Sequence, residues 1–242
     1  MRSRAWLLTV VLLAASCGGD DSGGSAELDG LTVFAAASLT EVFEEIAPDA
    51  TFNFAGSDEL ATQIREGAPV DVYAAASPRY PNELAAEGFL RQPQVFATNR
   101  LVVVVPPDNP AGIRTVDDLS RDGVRLVIGA EGVPVGDYTR SVLETMGAED
   151  VLDNVVSNEQ DVKGVLGKVV SGDADAGFVY VTDAKAAGDD VESIALPAQP
   201  PVEYPIGIVA ETENLEAAEA FIELVLSEDG RQALEGAGFG VP

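Results

Sequence analysis

Two stretches near the start of the chain, VFAAASLTEVFEEI (Val33–Ile46) and FNFAGSDELATQI (Phe52–Ile64), share one layout. Each runs an apolar segment into small residues, then a serine, then a helical stripe. In the first, Leu39, Val42, Phe43 and Ile46 fall at i, i+3, i+4 and i+7, the spacing of one buried helix face. The apolar run before each stripe reads as a buried strand, so the repeated unit is strand, turn, helix, the building block of an α/β sheet. A helix start exposes backbone N–H groups without intrahelical partners, and a serine there adds a hydroxyl. As an N-cap such a serine is worth about 1 kcal/mol. As a ligand donor it would sit where an anion is best received. The strings alone leave both open.

The same alternation continues outward. VDVYAAAS (Val70–Ser77) is a third strand, followed by a helix that stops at Gly88. LVVVVPPDNP (Leu101–Pro110) is a strand ended by prolines, and RLVIGA (Arg125–Ala130) is another. A helix over Tyr138–Met146 closes at Gly147. Val162, Val165, Leu166, Val169 and Val170 mark one that closes at Gly172. AGFVYV (Ala176–Val181) and YPIGIVA (Tyr204–Ala210) are late strands, and Ala218, Phe221, Ile222, Val225 and Leu226 form a last helix stripe. Two α/β sets with a late return of the chain predict two lobes joined by crossover strands. One larger doubly wound domain fits the periodicity nearly as well.

The N-terminus follows other rules. Arg2 and Arg4 precede an apolar run, Ala5–Ala15, which is too short for a permanent membrane span and predicts a signal peptide over residues 1–16. The run ends in LAASC, so Cys17, the single cysteine, stands where a bacterial lipobox carries its lipidated residue, although Ala14 replaces the usual leucine. A cleaved signal peptide with an incidental cysteine is the other reading. Residues 17–30, rich in Gly, Ser and Asp, form a flexible tether.

Composition excludes much. A formal net charge of -27 disfavours nucleic acid, whose phosphates need Lys and Arg. One cysteine forbids an internal disulfide. The chain has no histidine, which removes the usual base for a Ser or Cys nucleophile and the commonest zinc ligand. No GxSxG elbow or P-loop is present. GDADAG (Gly172–Gly177) lacks calcium-loop spacing and reads as a helix end and polar turn. The chain is a binder, not an enzyme.

Its inventory of oxyanion donors is fuller. Ser38 has Glu41 three residues on, the capping-box spacing. Ser57 is followed by Asp58 and Glu59, acids that suit a first helical turn. GVPVGDYT (Gly132–Thr139) makes a third helix start. QDVKGV (Gln160–Val165) makes a fourth, with Asp161 as N-cap and the Val162 amide among the free donors. Tyr180 closes a strand with a phenolic donor, or is a half-buried core residue.

In this order, VFAAASLTEVFEEIA, FAGSDELATQIREGAPVDVYAAAS, GVPVGDYT, DVKGVLGKVVSGDADAGFVYVTDA, VEYPIGIVAE and the final GFG resemble the periplasmic molybdate-binding protein family, the solute-binding component of molybdate ABC importers. The resemblance runs from Leu31 to Phe239. It implies an α/β, two-lobed type II periplasmic-binding-protein fold, each lobe a mainly parallel sheet flanked by helices. Lobe 1 would hold 31–98 and 209–242, and lobe 2 would hold 99–208. The implied ligand is molybdate or tungstate, held through its oxygens with no cofactor and no direct metal ligand. By position, the contacts would be the hydroxyls and amides of Ser38 and Ser57, the amides of Val135 and Val162, and the Tyr180 hydroxyl. The implied partner is an ABC permease. The protein would be a monomer outside the cytoplasm, anchored through lipid on Cys17. Sulfate or phosphate is the alternative ligand, and an acidic, cation-binding surface lipoprotein the alternative class. Asp58 departs from the family pattern. A carboxylate beside a dianion is costly in a dry site, so Asp58 is expected to turn outward; turned inward, it would accept a proton from phosphate.

Overall fold

The computed structural model describes residues 28–197 and 199–242. The signal peptide, Cys17 and most of the tether lie outside the described residues. Among the described residues, ten strands form two five-stranded sheets. In the first, β1 (Thr32–Ala36) lies between β2 (Thr51–Ala55) and β3 (Val72–Ala74), and β10 (Val202–Ile208) and β4 (Gln94–Asn99) complete the order β2-β1-β3-β10-β4. In the second, the order is β7 (Val155–Glu159), β6 (Leu126–Gly129), β8 (Ala176–Tyr180), β5 (Leu101–Val105) and β9 (Glu192–Ala195).

Both sheets are mixed rather than mainly parallel. β1 pairs in parallel with β2 and β3, while β10 runs antiparallel to β3 and β4. Likewise β6 is parallel to β7 and β8, while β5 is antiparallel to β8 and β9. The cause is the crossing between lobes. β4 continues into β5 through Arg100 alone, so each sheet receives one strand whose direction is set by the crossover and not by a βαβ unit. The second crossing also corrects the lobe boundary. Residues up to 208 were expected in lobe 2, yet β10 is bonded within the first sheet, so the chain returns before Val202. Gln199 ties the two crossings: its side chain accepts from the Leu101 N–H at 3.0 Å and donates to the Leu101 carbonyl at 2.9 Å.

Helices flank both sheets: α1 (Thr40–Ile46), α2 (Ser57–Arg65), α3 (Arg79–Glu87), α4 (Pro134–Met146), α5 (Val162–Val170), α6 (Val181–Ala187), α7 (Leu215–Leu226) and α8 (Glu228–Ala237). Gly88 and Gly147 end α3 and α4 in left-handed conformation, which costs glycine no Cβ clash. The expected α1 stripe is buried at Leu39, Val42 and Phe43. Phe43 packs edge-on against Phe221 of α7, with ring centroids 5.3 Å apart. One apolar cluster includes Val33, Val72 and Ile206 from the first sheet with Val102, Val127 and Val179 from the second, so the lobes share a core where they meet. Each fully buried Phe or Val there contributes about 1.5–3 kcal/mol of hydrophobic stabilisation before conformational entropy is charged against it.

Candidate functional site

The two serines that open the reading are not helix caps. Ser38 lies inside a 3-10 turn, Ala37–Leu39, with no capping bond; its Oγ is 2.8 Å from the Tyr204 hydroxyl. The Ser38/Glu41 capping box therefore does not form. Ser57 is the first residue of α2, after Gly56 at the N-cap, and its Oγ accepts from the Ala76 N–H at 3.1 Å. The Tyr73 hydroxyl donates to the Ser57 carbonyl at 2.6 Å. Ser57 is thus pinned from the end of β3, and the proton of its hydroxyl remains for an outside acceptor.

On the second lobe the expected helix starts hold. Pro134 opens α4, which leaves the Val135 amide in the first turn where intrahelical bonding cannot reach it. Gly136 lets this turn sit on the end of β6: a Cβ there would lie 2.2 Å from the Ala130 carbonyl oxygen and 2.3 Å from that of Gly129. Asp161 caps α5, its Oδ1 accepting from Gly164 N–H at 2.8 Å. That leaves the Val162 amide free at the first position of the helix.

Ser38, Ser57, Val135, Val162 and Tyr180 all line one cavity of ≈ 20 Å³ between the lobes. A single water needs about 10–15 Å³, so the space suits one compact ion and excludes a sugar or peptide. The remaining lining is Ala36, Ala37, Ala55, Gly56, Ala76, Val133, Pro134 and Asp161. Among the described residues no Lys or Arg enters, and the one carboxylate is Asp161, whose Oδ1 accepts from Gly164 N–H.

The Tyr180 hydroxyl is buried without a hydrogen-bond partner among the described residues. Such a group costs about 1–3 kcal/mol of desolvation unless something fills its shell. Burial pushes the phenol well above its usual pKa, so it is a donor throughout the working range. Tyr180 stacks edge-on with Tyr204 at 5.9 Å, and Asn99 Nδ2 reaches the Tyr204 hydroxyl at 3.5 Å and Thr182 Oγ1 at 2.9 Å. This buried polar chain behind Ser38, at the crossing between lobes, was not legible in the sequence, because its members lie in four separate segments.

Asp58 does not line the cavity, nor does it turn outward as expected. It is half-buried, and its Oδ1 is shut from water with no partner among the described residues, 2.7 Å from where a Cβ on Gly56 would stand. Burial raises its pKa, opposed by the amides of Asp58 and Glu59. The carboxylate folds back over its own helix start because the lobes meet there. Tyr80 of α3 donates to the Gly132 carbonyl at 2.5 Å, and Arg79 approaches Asp137 of α4 at 3.5 Å. The lobes are closed on one another.

Among the described residues no group of three or more His, Cys, Asp or Glu is placed to hold a metal ion, and no helix is long and apolar enough to cross a membrane. The family model for bacterial extracellular solute-binding proteins matches residues 31–240. The molybdate-binding protein ModA of Mycobacterium tuberculosis is 35% identical over 98% of this chain and 97% of its own. The substrate-binding domain of a molybdenum ABC transporter from Clostridium difficile superposes with a TM-score of 0.64 at 31% identity, covering 88% of this chain and 98% of that one. The periplasmic molybdate-binding protein of Azotobacter vinelandii gives a TM-score of 0.79 at 22% identity, covering 88% and 99%. With a pocket built from helix starts and hydroxyls between two lobes, the chain belongs to the ModA family of bacterial extracellular solute-binding proteins, which are transport components and not enzymes.

Proposed function

We propose that the protein captures molybdate, and tungstate as its near-isostere, between its lobes and delivers it to an ABC permease. The observation that carries this reading is the convergence of five neutral donor positions, one an orphaned buried hydroxyl, on a cavity of ≈ 20 Å³ with no cation. A tetrahedral dianion only accepts hydrogen bonds at neutral pH, so an all-donor cage suits it. Each bond to a charged group is worth about 1.5–3 kcal/mol. Ser38, Ser57, Val135, Val162 and Tyr180 are the proposed contacts. The first two belong to the lobe of β1 and β2, and the others to the lobe of β6 and β8. An anion bonded to both favours the closed arrangement, the form a permease can distinguish.

Selectivity follows from protons and size. Hydrogen phosphate needs an acceptor, and the lining offers one carboxylate, Asp161, whose Oδ1 already accepts from Gly164 N–H, while Asp58 lies outside the lining, so a cage otherwise built of donors favours the fully deprotonated dianion. Sulfate matches molybdate in charge but has shorter bonds, so a cage sized for the larger ion holds it with stretched contacts. We further propose that the mature protein is a monomer tethered outside the cytoplasm through lipid on Cys17, its acidic body held off anionic headgroups by the tether.

A thermal-shift panel tests the ligand. Sodium molybdate at 100 times its Kd should stabilise the protein by about 2.7 kcal/mol. For a chain of this size that raises Tm by about 5–10 °C. Tungstate should match molybdate, and phosphate should do nothing. A shift with phosphate or calcium and none with either molybdate or tungstate would sink the reading.

A further inference from the structure

Behind the cavity sits a cluster of charge that the donor cage does not use. Asp183, in the first turn of α6, is 1% exposed. Its Oδ1 lies 3.3 Å from Lys163 Nζ at the start of α5. Lys163 reaches across the cleft to Glu41 of α1, donating to its two carboxylate oxygens at 2.7 and 2.8 Å. Lys163 follows Val162 directly. Asp183 stands three residues after Tyr180, and Glu41 three after Ser38. The cluster therefore touches the segments of three of the five proposed contacts and joins both lobes.

This arrangement is unlike the surface pairs elsewhere. Arg125–Asp175 and Arg65–Glu87 each staple elements within one lobe. Among the described residues, Lys163 alone holds a buried carboxylate of its own lobe and a carboxylate of the other. A buried carboxylate with one ionic contact is costly to keep and strongly dependent on that contact. Burial and Asp183's own demand therefore fix where the ammonium sits, and the ammonium fixes Glu41.

Resting on the molybdate reading, we propose that Lys163 is a positioning residue: clamped by Asp183 and Glu41, it holds the α5 start and the two lobes in register around the bound oxyanion. It does this without entering the cavity. Opening the cleft separates Glu41 from Lys163, so the clasp adds its energy only to the closed form, which is the form the anion selects. The Asp183 carboxyl is pushed up to about 6 by burial, against the pull of Lys163. Burial works to lower the Lys163 pKa, but Asp183 and Glu41 more than offset it, so Lys163 stays protonated. The groups facing Asp183 are Lys163 from α5, Glu41 from α1, and the phenols of Tyr180 and Tyr204, both held neutral by burial. Above pH 6 the cluster carries one net negative charge. Below it, Asp183 takes a proton, the cluster becomes neutral, and Lys163 is left wholly to Glu41. The lost negative charge favours a bound dianion while the Lys163–Glu41 contact across the cleft is kept, so affinity should rise as pH falls through about 6.

Lys163→Met alone would strand a buried carboxylate, so the test uses Lys163→Met/Asp183→Asn, which removes both charges and leaves the cluster's net charge at neutral pH unchanged. Titration calorimetry with micromolar sodium molybdate would be run on wild type and variant at pH 7.5 and 5.5, with melting of the apo forms as the check on folding. The variant is expected to melt near wild type yet bind about tenfold more weakly at pH 7.5. Wild type should gain about threefold or more on going to pH 5.5, a gain the variant lacks. A folded variant that binds within about twofold of wild type, or that keeps the wild-type pH profile, overturns the clasp while leaving the molybdate reading intact. Wild type that binds neither molybdate nor tungstate overturns the reading on which the clasp rests.

Discussion

Gly56→Ala should leave the ligand-free protein folded and weaken molybdate binding by about one to two orders of magnitude, the equivalent of the 1–3 kcal/mol typical of overpacking. Gly56 is the N-cap of α2, between the strand of the first lobe and Ser57. Its backbone, at φ -60 and ψ 138, is open to any residue, so alanine brings no conformational strain to the lobe itself. What it meets is the other lobe. A Cβ at this position would stand 2.5 Å from the Gln160 carbonyl oxygen, on the segment that leads into Asp161 and the Val162 amide. The second close neighbour, Asp58 Oδ1 at 2.7 Å, is a side-chain end that can swing away; a backbone carbonyl cannot. The added methyl is therefore tolerated in the open cleft and rejected in the closed one. Calorimetric titration with molybdate beside the apo Tm separates the two. Wild-type affinity in the variant would mean that the bound form is not closed at this contact. A fall in Tm as large as the fall in affinity would instead mean damage within the lobe.

Much of this arrangement was legible in the chain, and the reasons for the rest are specific. Periodicity found the first strand because both of its faces are buried, at Val33, Phe34 and Ala35, and the helices of both junctions because each buries one apolar stripe: Val42 and Phe43 in α1, Leu60 and Ile64 in α2. It missed β4, β7 and β9, all edge strands: β7 and β9 bury no side chain fully, and β4 buries Phe96 and Ala97 within a short run that is polar at both ends. The strand over Tyr204 was found but assigned to the wrong lobe, since an apolar run does not say which sheet it joins. Pro205 at its register shift hints only at an irregular strand, not at its neighbours. Of the site, the five donor positions came from motif order, and helix-start logic found the same places without choosing among them. Capping logic failed at Ser38 and Ser57 because each hydroxyl is claimed from far away, by Tyr204 and by the amide of Ala76. The Lys163 cluster had no local signature at all. Lys163 and Asp183 are joined by the folding of their own lobe and Glu41 is added only when the lobes meet, and the neighbouring acids of a chain this negative hide them.

Tyr180→Phe should separate stability from binding more sharply than any other single change. In the closed form its hydroxyl is buried with no partner among the described residues, and Tyr180 lines the cavity. The open, empty cleft that tolerates a methyl at Gly56 also lets water reach this hydroxyl, so removing it should leave the apo protein melting close to wild type. Bound to a dianion, the same hydroxyl makes a charge-assisted hydrogen bond worth about 1.5–3 kcal/mol, so the variant should bind molybdate roughly 10- to 150-fold more weakly. The loss should be the same at pH 5.5 and pH 8, because burial keeps the phenol protonated across that range. A destabilised apo protein with unchanged affinity would make Tyr180 a core residue whose hydroxyl is satisfied within the protein, and would remove it from the cage. An unchanged Tm beside a lost affinity has no such explanation. It requires that the hydroxyl be free of protein partners in the empty protein and engaged in the loaded one, which is what a donor held ready for an anion does.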